Sequence, residues 1–575
     1  EPIHEEITDW QREFETIIGR NHAKYFDREG WLYFTKQTFD ILYPGYGDSF
    51  PMFNGAIGMT YEQAGGGGAG LGIKTAIGDT LTLRDRLTHH TTTSLSTVEM
   101  AATHRDRVLT EFSSYFDRAL SDPPGDYKAY VVRASSSGNR LQEMADHLDM
   151  LGISYGKALS DTRVRGLNYR SSTTGRQTIT SGDLVIPASQ PRAVLTKVLF
   201  DPNTVMSDSL TYDITAWALP YAYDVEAVAS NDEVDFGPWE MSNATSVDHA
   251  ERPYAYVIRW DDAGDATFLA ALLKHKFVVR YNLRPFTIHG EVFAEGSLIV
   301  TRRNNERFGE EFESELAALA RAHSQSVMGI ATGFVDSGAD LGSSDVRYMK
   351  APRVAMPFGR PVSSSGLGEV WYLFDKVLDY PITRFPADRF STLELDEYDV
   401  LVLPSSSYST MLPEAELERL TTWIRGGGRL IAIDRAASWL AGKKGFSLKM
   451  KEAETTADST ATEIARAKRY VDRSRDRAPT SNPGAIYRVS VDTSHPLGFG
   501  FSENSFVLRG RGDHPSVMTG TGDWNVGIVE EDGRVSGHTG YKAEERTEGS
   551  LAFGVQSMGR GSVVYLMDNP LYRGF

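Results

Sequence analysis

The pattern that most constrains the fold is an alternation of short apolar runs with amphipathic helices in the last third of the chain. The apolar run 399–404 is followed by a serine-rich turn, a predicted helix over 414–424, three glycines and the apolar run 429–433. Strands that are apolar throughout and alternate with helices are typical of a parallel sheet covered on both faces. The pattern therefore predicts a doubly wound α/β domain of the Rossmann-like or flavodoxin-like kind.

The length of the chain predicts several domains. At 575 residues it exceeds the ~250–300 residues at which one hydrophobic core stops growing. The prolines and glycine at 123–125 mark the clearest early boundary, because they end a helix and resist regular structure. Strand-like and helical segments then alternate, which indicates βαβ units. We predict three parts: residues 1–125, a middle α/β accessory region at 126–345 with room for two units, and residues 346–575.

Charge and composition exclude several classes of function. The 60 Lys and Arg residues face 77 Asp and Glu residues, a formal net charge of −17, so the chain lacks the basic surface that binds a nucleic-acid backbone. Because the chain has no cysteine, it forms no disulfide, thiolate zinc site or cysteine nucleophile. No apolar run reaches the ~18–20 residues of a membrane span. We predict no nucleic-acid partner and no membrane span.

Glu62 is the candidate catalytic residue that the sequence pattern singles out. Residues 55–61 form an apolar run that predicts a buried strand, and Glu62 follows it directly. A glycine-rich run at 65–70 comes next and indicates an active-site loop. Proteins of the α/β class place reactive groups at the ends of central strands, where partial burial raises the pKa of a carboxylate towards general-base use. The alternative interpretation is a solvated glutamate at a strand end.

The histidines form no recognisable metal-binding motif. The chain has 13 of them, yet none begins an HxxE or HExxH pair, the spacing that places two ligands beside one metal ion. His89 and His90 are adjacent in a polar stretch, so on a regular element their side chains would point in different directions. We therefore assign no metal ligand to this chain and expect no bound cofactor in it.

The order of motifs around Glu62 resembles the second half of a zinc carboxypeptidase catalytic domain, in the large bacterial branch of that family. The stretches that carry the resemblance are 43–51 (YPGYGDSFP), 54–63 (NGAIGMTYEQ) and 89–97 (HHTTTSLST), together with 182–191 (GDLVIPASQP) and 212–220 (YDITAWALP) in the middle region. It implies that a zinc-bound water removes C-terminal residues from a peptide or protein substrate. It also implies that Glu62 is the general base and that Tyr46 is the loop tyrosine that closes over the substrate.

The same resemblance places the zinc ligands outside this chain. In the family they lie upstream of the general base, and only residues 1–61 precede Glu62 here. His4 and His22 occur in that stretch, but neither lies in a ligand motif. The resemblance therefore implies an inactive fragment of a zinc enzyme, and it implies a secreted or periplasmic location for that enzyme.

Residues 346–575 resemble a class I glutamine amidotransferase-like domain through residues 399–404, residues 423–433 and the final strand. Such glutaminases attack with a cysteine on a tight strand-to-helix turn, whereas the turn after Ile433 begins with Asp434. The resemblance thus implies a non-catalytic accessory domain. A serine of the 405–407 run could replace the cysteine as nucleophile, but the Gly-x-Ser-x-Gly elbow that would support this role is absent from the run. The alternative function is a non-catalytic binding or scaffold protein that uses this domain.

Overall fold

The fold is described by a computed structural model covering residues 2–36, 40–64, 70–136, 138–208, 210–239, 247–248, 253–451, 469–510 and 514–574. The glycine-rich run predicted as a loop falls largely on residues 65–69, which lie outside the described residues. In the described ranges, no helix combines the length and apolarity needed to cross a membrane.

The first 125 residues are mainly helical. Their elements are α1 (Asp9–Glu29), α2 (Ser49–Met52), β1 (Gly72–Lys74), β2 (Thr80–Thr82), α3 (Leu83–Thr103) and α4 (Arg105–Ser121). Helix α1 begins at a capping box in which the side chains of Thr8 and Gln11 satisfy each other's backbone N–H groups, and it ends at Gly30 in the left-handed conformation. The small sheet of this part is the antiparallel pair of β1 and β2.

The predicted buried strand at 55–61 was wrong. Residues 57–63 have no regular secondary structure, and most of their side chains are only partly buried or exposed. A strand requires a neighbour that pairs with its backbone N–H and C=O groups, and the described residues offer no strand beside this segment. The apolar run therefore forms an irregular segment packed on helices.

The middle region holds two sheets of similar construction. The first contains β3 (Ala129–Val132), β4 (Gly156–Ala158), β5 (Thr162–Asn168), β6 (Thr173–Ile179), β7 (Leu184–Pro187), β8 (Ala227–Ser230) and β9 (Phe236–Gly237), in the order β6-β5-β8-β3-β7-β4-β9. The second contains β10 (Val247–Asp248), β11 (Ala255–Ile258), β12 (Val279–Asn282), β15 (Leu298–Thr301), β16 (Val327–Ile330) and β17 (Val346–Met349), in the order β10-β16-β11-β15-β12-β17, while β13 (Phe286–Ile288) and β14 (Glu291–Phe293) form a separate hairpin.

Each βαβ unit of the middle region is split by a third strand. Helix α5 (Gly138–Leu151) joins β3 to β4, but β7 lies between them and is antiparallel to both. Helix α8 (Ala263–Lys274) joins β11 to β12 in the same way, with β15 between them. A returning helix then leads to the last strand of each unit: α6 (Ala193–Phe200), followed by the short α7 (Leu219–Ala222), and α9 (Phe312–Ala322). The result is a split β-α-β-β-α-β arrangement repeated twice.

The C-terminal part is built on one nine-stranded sheet with a parallel and an antiparallel half. Its strands are β18 (Val354–Phe358), β19 (Ile382–Pro386), β20 (Val400–Leu403), β21 (Arg429–Ile433), β22 (Ala485–Val491), β23 (Asn504–Arg509), β24 (Asp523–Ser536), β25 (Leu551–Met558) and β26 (Gly561–Leu566). The order is β19-β18-β20-β21-β26-β25-β24-β22-β23. The five parallel strands follow the order 2-1-3-4-5 of a flavodoxin-like sheet.

Helices and apolar side chains cover this sheet. The helices are α10 (Ser364–Tyr372), continued by a π-helical turn at Leu373–Val377, α11 (Glu414–Gly426), α12 (Arg435–Leu440) and α13 (Tyr541–Thr547). The buried core beneath them includes Leu401, Leu403, Leu420, Leu430 and Tyr565. The doubly wound α/β fold predicted for the end of the chain is thus present, with an antiparallel extension that the sequence pattern did not predict.

Candidate functional site

Glu62 lies on the irregular segment 57–63 and is exposed to solvent. Its carboxylate forms no hydrogen bond or ion pair with any residue that the structure describes. Its two neighbours are instead anchored to helix α3. Tyr61 Oη lies 2.8 Å from Thr97 Oγ1, and Gln63 Oε1 lies 2.8 Å from Nδ1 of His89. The side chains on both sides of Glu62 are thus fixed to α3, while that of Glu62 itself is exposed.

The segment that carries Glu62 also packs against the loop that carries Tyr46 and is hydrogen-bonded to it. Thr60 Oγ1 donates to Asp48 Oδ2 at 2.5 Å, and Asp48 Oδ1 accepts from the backbone N–H of Ser49 at 2.8 Å. A Cβ atom added to Gly58 would lie 1.7 Å from the carbonyl oxygen of Asp48, so only glycine permits this approach. The structure therefore brings the two predicted catalytic segments together, although no hydrogen bond joins Tyr46 to Glu62.

Tyr46 belongs to a polar cluster formed by residues far apart in the chain. Its hydroxyl group donates to Asp213, and Arg573 Nη2 donates to Tyr46 Oη at 3.1 Å and to Asp213 Oδ2 at 3.0 Å. The Arg573 guanidinium also stacks over the ring of Tyr43, 4.0 Å from its centroid. Burial, followed by the hydrogen bond to Asp213, raises the pKa of Tyr46 well above its usual range. The tyrosine is thus held as a neutral hydrogen-bonded group. Its role as the loop tyrosine that closes over the substrate stays a prediction.

A second carboxylate, Glu15 on α1, is partly buried beside this site. Burial first, and then the nearby charge of Asp48, raise the pKa of Glu15 to about 7. A carboxylic acid whose pKa is higher in the folded state than in the unfolded state binds a proton on folding. The stability it contributes is present at low pH and is lost as the pH rises from about 4.5 towards 7.

Replacing Glu15 by glutamine should therefore stabilise the protein at alkaline pH. We expect the Glu15→Gln variant to exceed the wild type by about 1–2 kcal/mol in free energy of unfolding at pH 8 and to match it near pH 4, because the amide cannot ionise. Denaturant unfolding at the two pH values measures the difference. Glu29→Gln, on an exposed residue at the end of α1, is the control. An equal effect of Glu15→Gln at both pH values would contradict the assignment.

No group of three His, Cys, Asp or Glu side chains within the described ranges is arranged to hold a metal ion. The two histidines that precede Glu62 are engaged otherwise. His4 is buried, and its Nδ1 accepts from the backbone N–H of Glu6 at 3.2 Å. His22 Nδ1 lies 2.8 Å from Ser96 Oγ in the contact between α1 and α3. The described residues therefore do not fit the zinc site that the resemblance implies for the full-length family.

The carboxyl edge of the parallel sheet holds a second candidate site. Asp434 lies between β21 and α12 with a φ of 50°, in the left-handed region that non-glycine residues rarely adopt. Ser405, just after β20, donates through Oγ to Asp434 Oδ2 at 2.6 Å, and Ser406 Oγ donates to the carbonyl oxygen of Pro361 at 2.6 Å. Burial raises the pKa of Asp434. A carboxylate therefore occupies the strand-to-helix turn, and no cysteine exists in the chain to attack from it.

Sequence reasoning missed Asp213, Arg573 and the anchoring pair of Gln63 and His89. Asp213 and Arg573 are 360 residues apart, and neither lies in a motif that marks it as a partner of Tyr46. His89 did stand out as one of two adjacent histidines, but only the structure shows that it binds Gln63. No sequence motif indicates these contacts, which only the three-dimensional structure shows.

Comparisons with known proteins give matches among solved structures only. No family model and no curated protein matches the chain. A structure described as a GMP synthase component from Thermoplasma acidophilum is similar at 13% identity and a TM-score of 0.25, over 39% of this chain and 88% of its own. A glutamine amidotransferase from Thermotoga maritima is similar at 13% identity and a TM-score of 0.23, over 37% and 74%. A β-galactosidase from Bacillus circulans is similar at 11% identity and a TM-score of 0.22, over 37% and 28%.

The TM-scores of these likenesses are below 0.5, so we draw no argument about activity from them. The strand order itself makes the chain a multidomain α/β protein with a flavodoxin-like sheet, and its neighbours among solved structures include a glutamine amidotransferase. The zinc carboxypeptidase resemblance of the first 125 residues finds no counterpart in these three structures and stays a prediction.

Proposed function

We propose that this chain carries the general-base segment of a zinc-dependent carboxypeptidase that removes C-terminal residues from peptides or proteins outside the cytoplasm. The observation that carries the proposal is the environment of Glu62, whose neighbours are anchored to α3 while its own carboxylate has no partner among the described residues. The proposal requires zinc ligands from outside the described residues, since these contain no group of three side chains arranged to hold a metal ion.

In the proposed reaction Glu62 would transfer one proton. A general base accepts the proton from the attacking water and passes it to the leaving amine, so its carboxylate must be ionised and free of competing donors. The exposed carboxylate of Glu62 accepts from no described residue, so it is free of competing donors. The hydrogen bonds of Tyr61 and Gln63 supply the fixed position, since a catalytic group on a loose segment would lose the benefit of orientation.

The arrangement of α3 also supports a larger catalytic domain. Its polar side faces α1, where Asn21 Nδ2 donates to Glu99 Oε2 at 2.7 Å and to Ser96 Oγ at 2.9 Å. Four of its apolar residues are between 39% and 66% exposed: Leu83, Leu87, Leu95 and Val98. In the proposed enzyme another protein segment would cover these side chains.

The proposal is tested with the natural gene product that contains this chain and with the 575 residues alone. We expect the natural product to bind one zinc ion and to release C-terminal amino acids from peptides, and the 575 residues to do neither. Zinc content by elemental analysis and amino-acid release by chromatography are the measurements. Stoichiometric zinc together with turnover in the 575-residue chain would contradict the assignment, as would a natural product without zinc or peptidase activity.

The second candidate is a non-catalytic binding or scaffold protein that uses its amidotransferase-like domain. The observation that favours it is Asp434, which takes the strand-to-helix position at which such glutaminases carry a cysteine. A natural gene product without peptidase activity, and without ammonia release from glutamine, would favour this candidate over the first.

A further inference from the structure

A cleft lies where the second sheet of the middle region meets the antiparallel half of the C-terminal sheet. Its volume is about 300 Å³, and its lining comes from the segment after β11, from the turn between β14 and β15, and from the segment between β22 and β23. The side chains that define it are three aromatic residues and three carboxylates: Trp260, Phe499, Phe501, Asp261, Glu295 and Glu503. Junctions between domains are frequent locations of small-molecule sites.

The three carboxylates of the cleft lack an ion-pair partner in the part of the chain that the structure describes. Asp261, Glu295 and Glu503 form no ion pair or side-chain hydrogen bond with any described residue, and the lining contains no Lys, Arg or His. Burial raises the pKa of Asp261, although the nearby charges of Arg259 and Arg140 oppose that effect. A cation placed in the cleft would be attracted to all three carboxylates.

One aromatic residue of the cleft, Trp260, is tightly packed. The indole of Trp260 is packed between Gly296 and Gly500, which have φ values of 86° and 80°. A Cβ atom at Gly296 would approach the indole to 3.0 Å, and one at Gly500 would approach it to 3.2 Å. Glycine is therefore required at both positions, for the positive φ and for the space.

The two sides of the cleft are tied together by Arg140 of α5. Its Nη2 donates to the carbonyl oxygen of Asp261 at 3.2 Å and to that of Gly500 at 3.5 Å, and its Nη1 pairs with Asp224 at 3.3 Å. The Arg140 guanidinium thus holds backbone segments in place, and although its charge lowers the pKa of Asp261, it forms no ion pair with the carboxylates of the cleft. A site that is fixed before binding loses little conformational entropy when a ligand enters.

We propose that this cleft binds a small organic cation, an ammonium or guanidinium group carried on a short apolar chain. Aromatic side chains beside carboxylates are the surroundings that stabilise such ions, because the ring faces attract the positive charge and the apolar walls contact the chain. An anion would meet three like charges. A neutral ligand of the same shape would gain the apolar contacts and leave the carboxylates uncompensated.

The proposal is tested by calorimetric titration of the full chain with 1,5-diaminopentane, using 1,5-pentanediol as the neutral analogue and glutarate as the anionic one. We expect only the diamine to bind, and we expect added salt to weaken its binding. Replacement of one carboxylate, in the Glu503→Gln variant, should raise the Kd for the diamine roughly fivefold. Glu503 is exposed, so the substitution leaves folding intact.

The matched control is Glu531→Gln, which removes an exposed carboxylate of β24 outside the cleft. Its Kd for the diamine should equal that of the wild type. Equal weakening by both substitutions would show that the diamine responds only to net charge and would overturn the proposal. So would binding of the diol as tightly as the diamine, or an absence of heat with the diamine at millimolar concentration.

Discussion

If the natural gene product is the zinc carboxypeptidase that we propose, the Glu62→Gln substitution is expected to lower its kcat by about 10²–10⁴-fold, the contribution of a positioned general base. The amide keeps the shape of the side chain but cannot accept a proton from water. Because the Glu62 carboxylate has no partner among the described residues, its replacement should leave the fold unchanged. Steady-state kinetics on a peptide substrate measures the effect, and thermal unfolding shows that the variant is folded.

Two comparisons make this result specific to the proposed role. Glu29→Gln alters an exposed glutamate at the end of α1 and should leave kcat unchanged. The zinc content of Glu62→Gln should equal that of the wild type, since a general base is lost and no ligand is. Loss of zinc would show that Glu62 is a ligand, and an unchanged kcat would remove it from the catalytic machinery.

The Asp568→Ala substitution is expected to lower the free energy of unfolding by about 3–5 kcal/mol, because it leaves a buried guanidinium without its counter-charge. Asp568 follows β26 and pairs with Arg509, the last residue of β23, at Nη2–Oδ2 and Nε–Oδ1 distances of 2.7 and 3.1 Å. The side chain of Arg509 is 3% exposed. Its Nη2 also donates to the carbonyl oxygen of Leu551 at 3.0 Å.

Denaturant unfolding of the purified chain measures this loss. The control is Asp106→Ala, which breaks an ion pair with Arg105 on α4 whose side chains are 89% and 76% exposed and should change stability by less than about 0.5 kcal/mol. The double variant Asp568→Ala/Arg509→Met should recover part of the loss, because it removes the unpaired charge. A single variant as stable as the wild type would mean that water reaches the guanidinium.

The sequence predicted the parallel half of the C-terminal sheet closely. The strand predicted at 429–433 forms β21 over those residues. The helix predicted over 414–424 begins as predicted and ends two residues later, at Gly426. These elements follow from local patterns, since an apolar run is buried on both faces and a glycine ends the helix. The antiparallel strands β22 to β25 depend on pairing between distant segments, which no local pattern encodes.

The candidate site could be predicted only in part, for the same reason. Glu62 was singled out from its neighbours in the sequence, and the structure does place it beside anchored residues. The strand predicted before it does not form, because strand formation requires a pairing partner in space. Tyr46 was singled out from its motif, but its partners Asp213 and Arg573 lie 167 and 527 residues away.

The hydrogen bond between Arg573 and Tyr46 also bears on the order of events during synthesis. Ribosomes add about 5–20 residues per second, so the 527 residues between the two partners take roughly half a minute to two minutes to make. Until then, the Tyr46 hydroxyl group and the Asp213 carboxylate lack the guanidinium that bridges them. The loop at residues 43–48 thus reaches its final hydrogen bonding only after Arg573 has been translated, and a nascent-chain protease assay should find the loop cleavable until that moment.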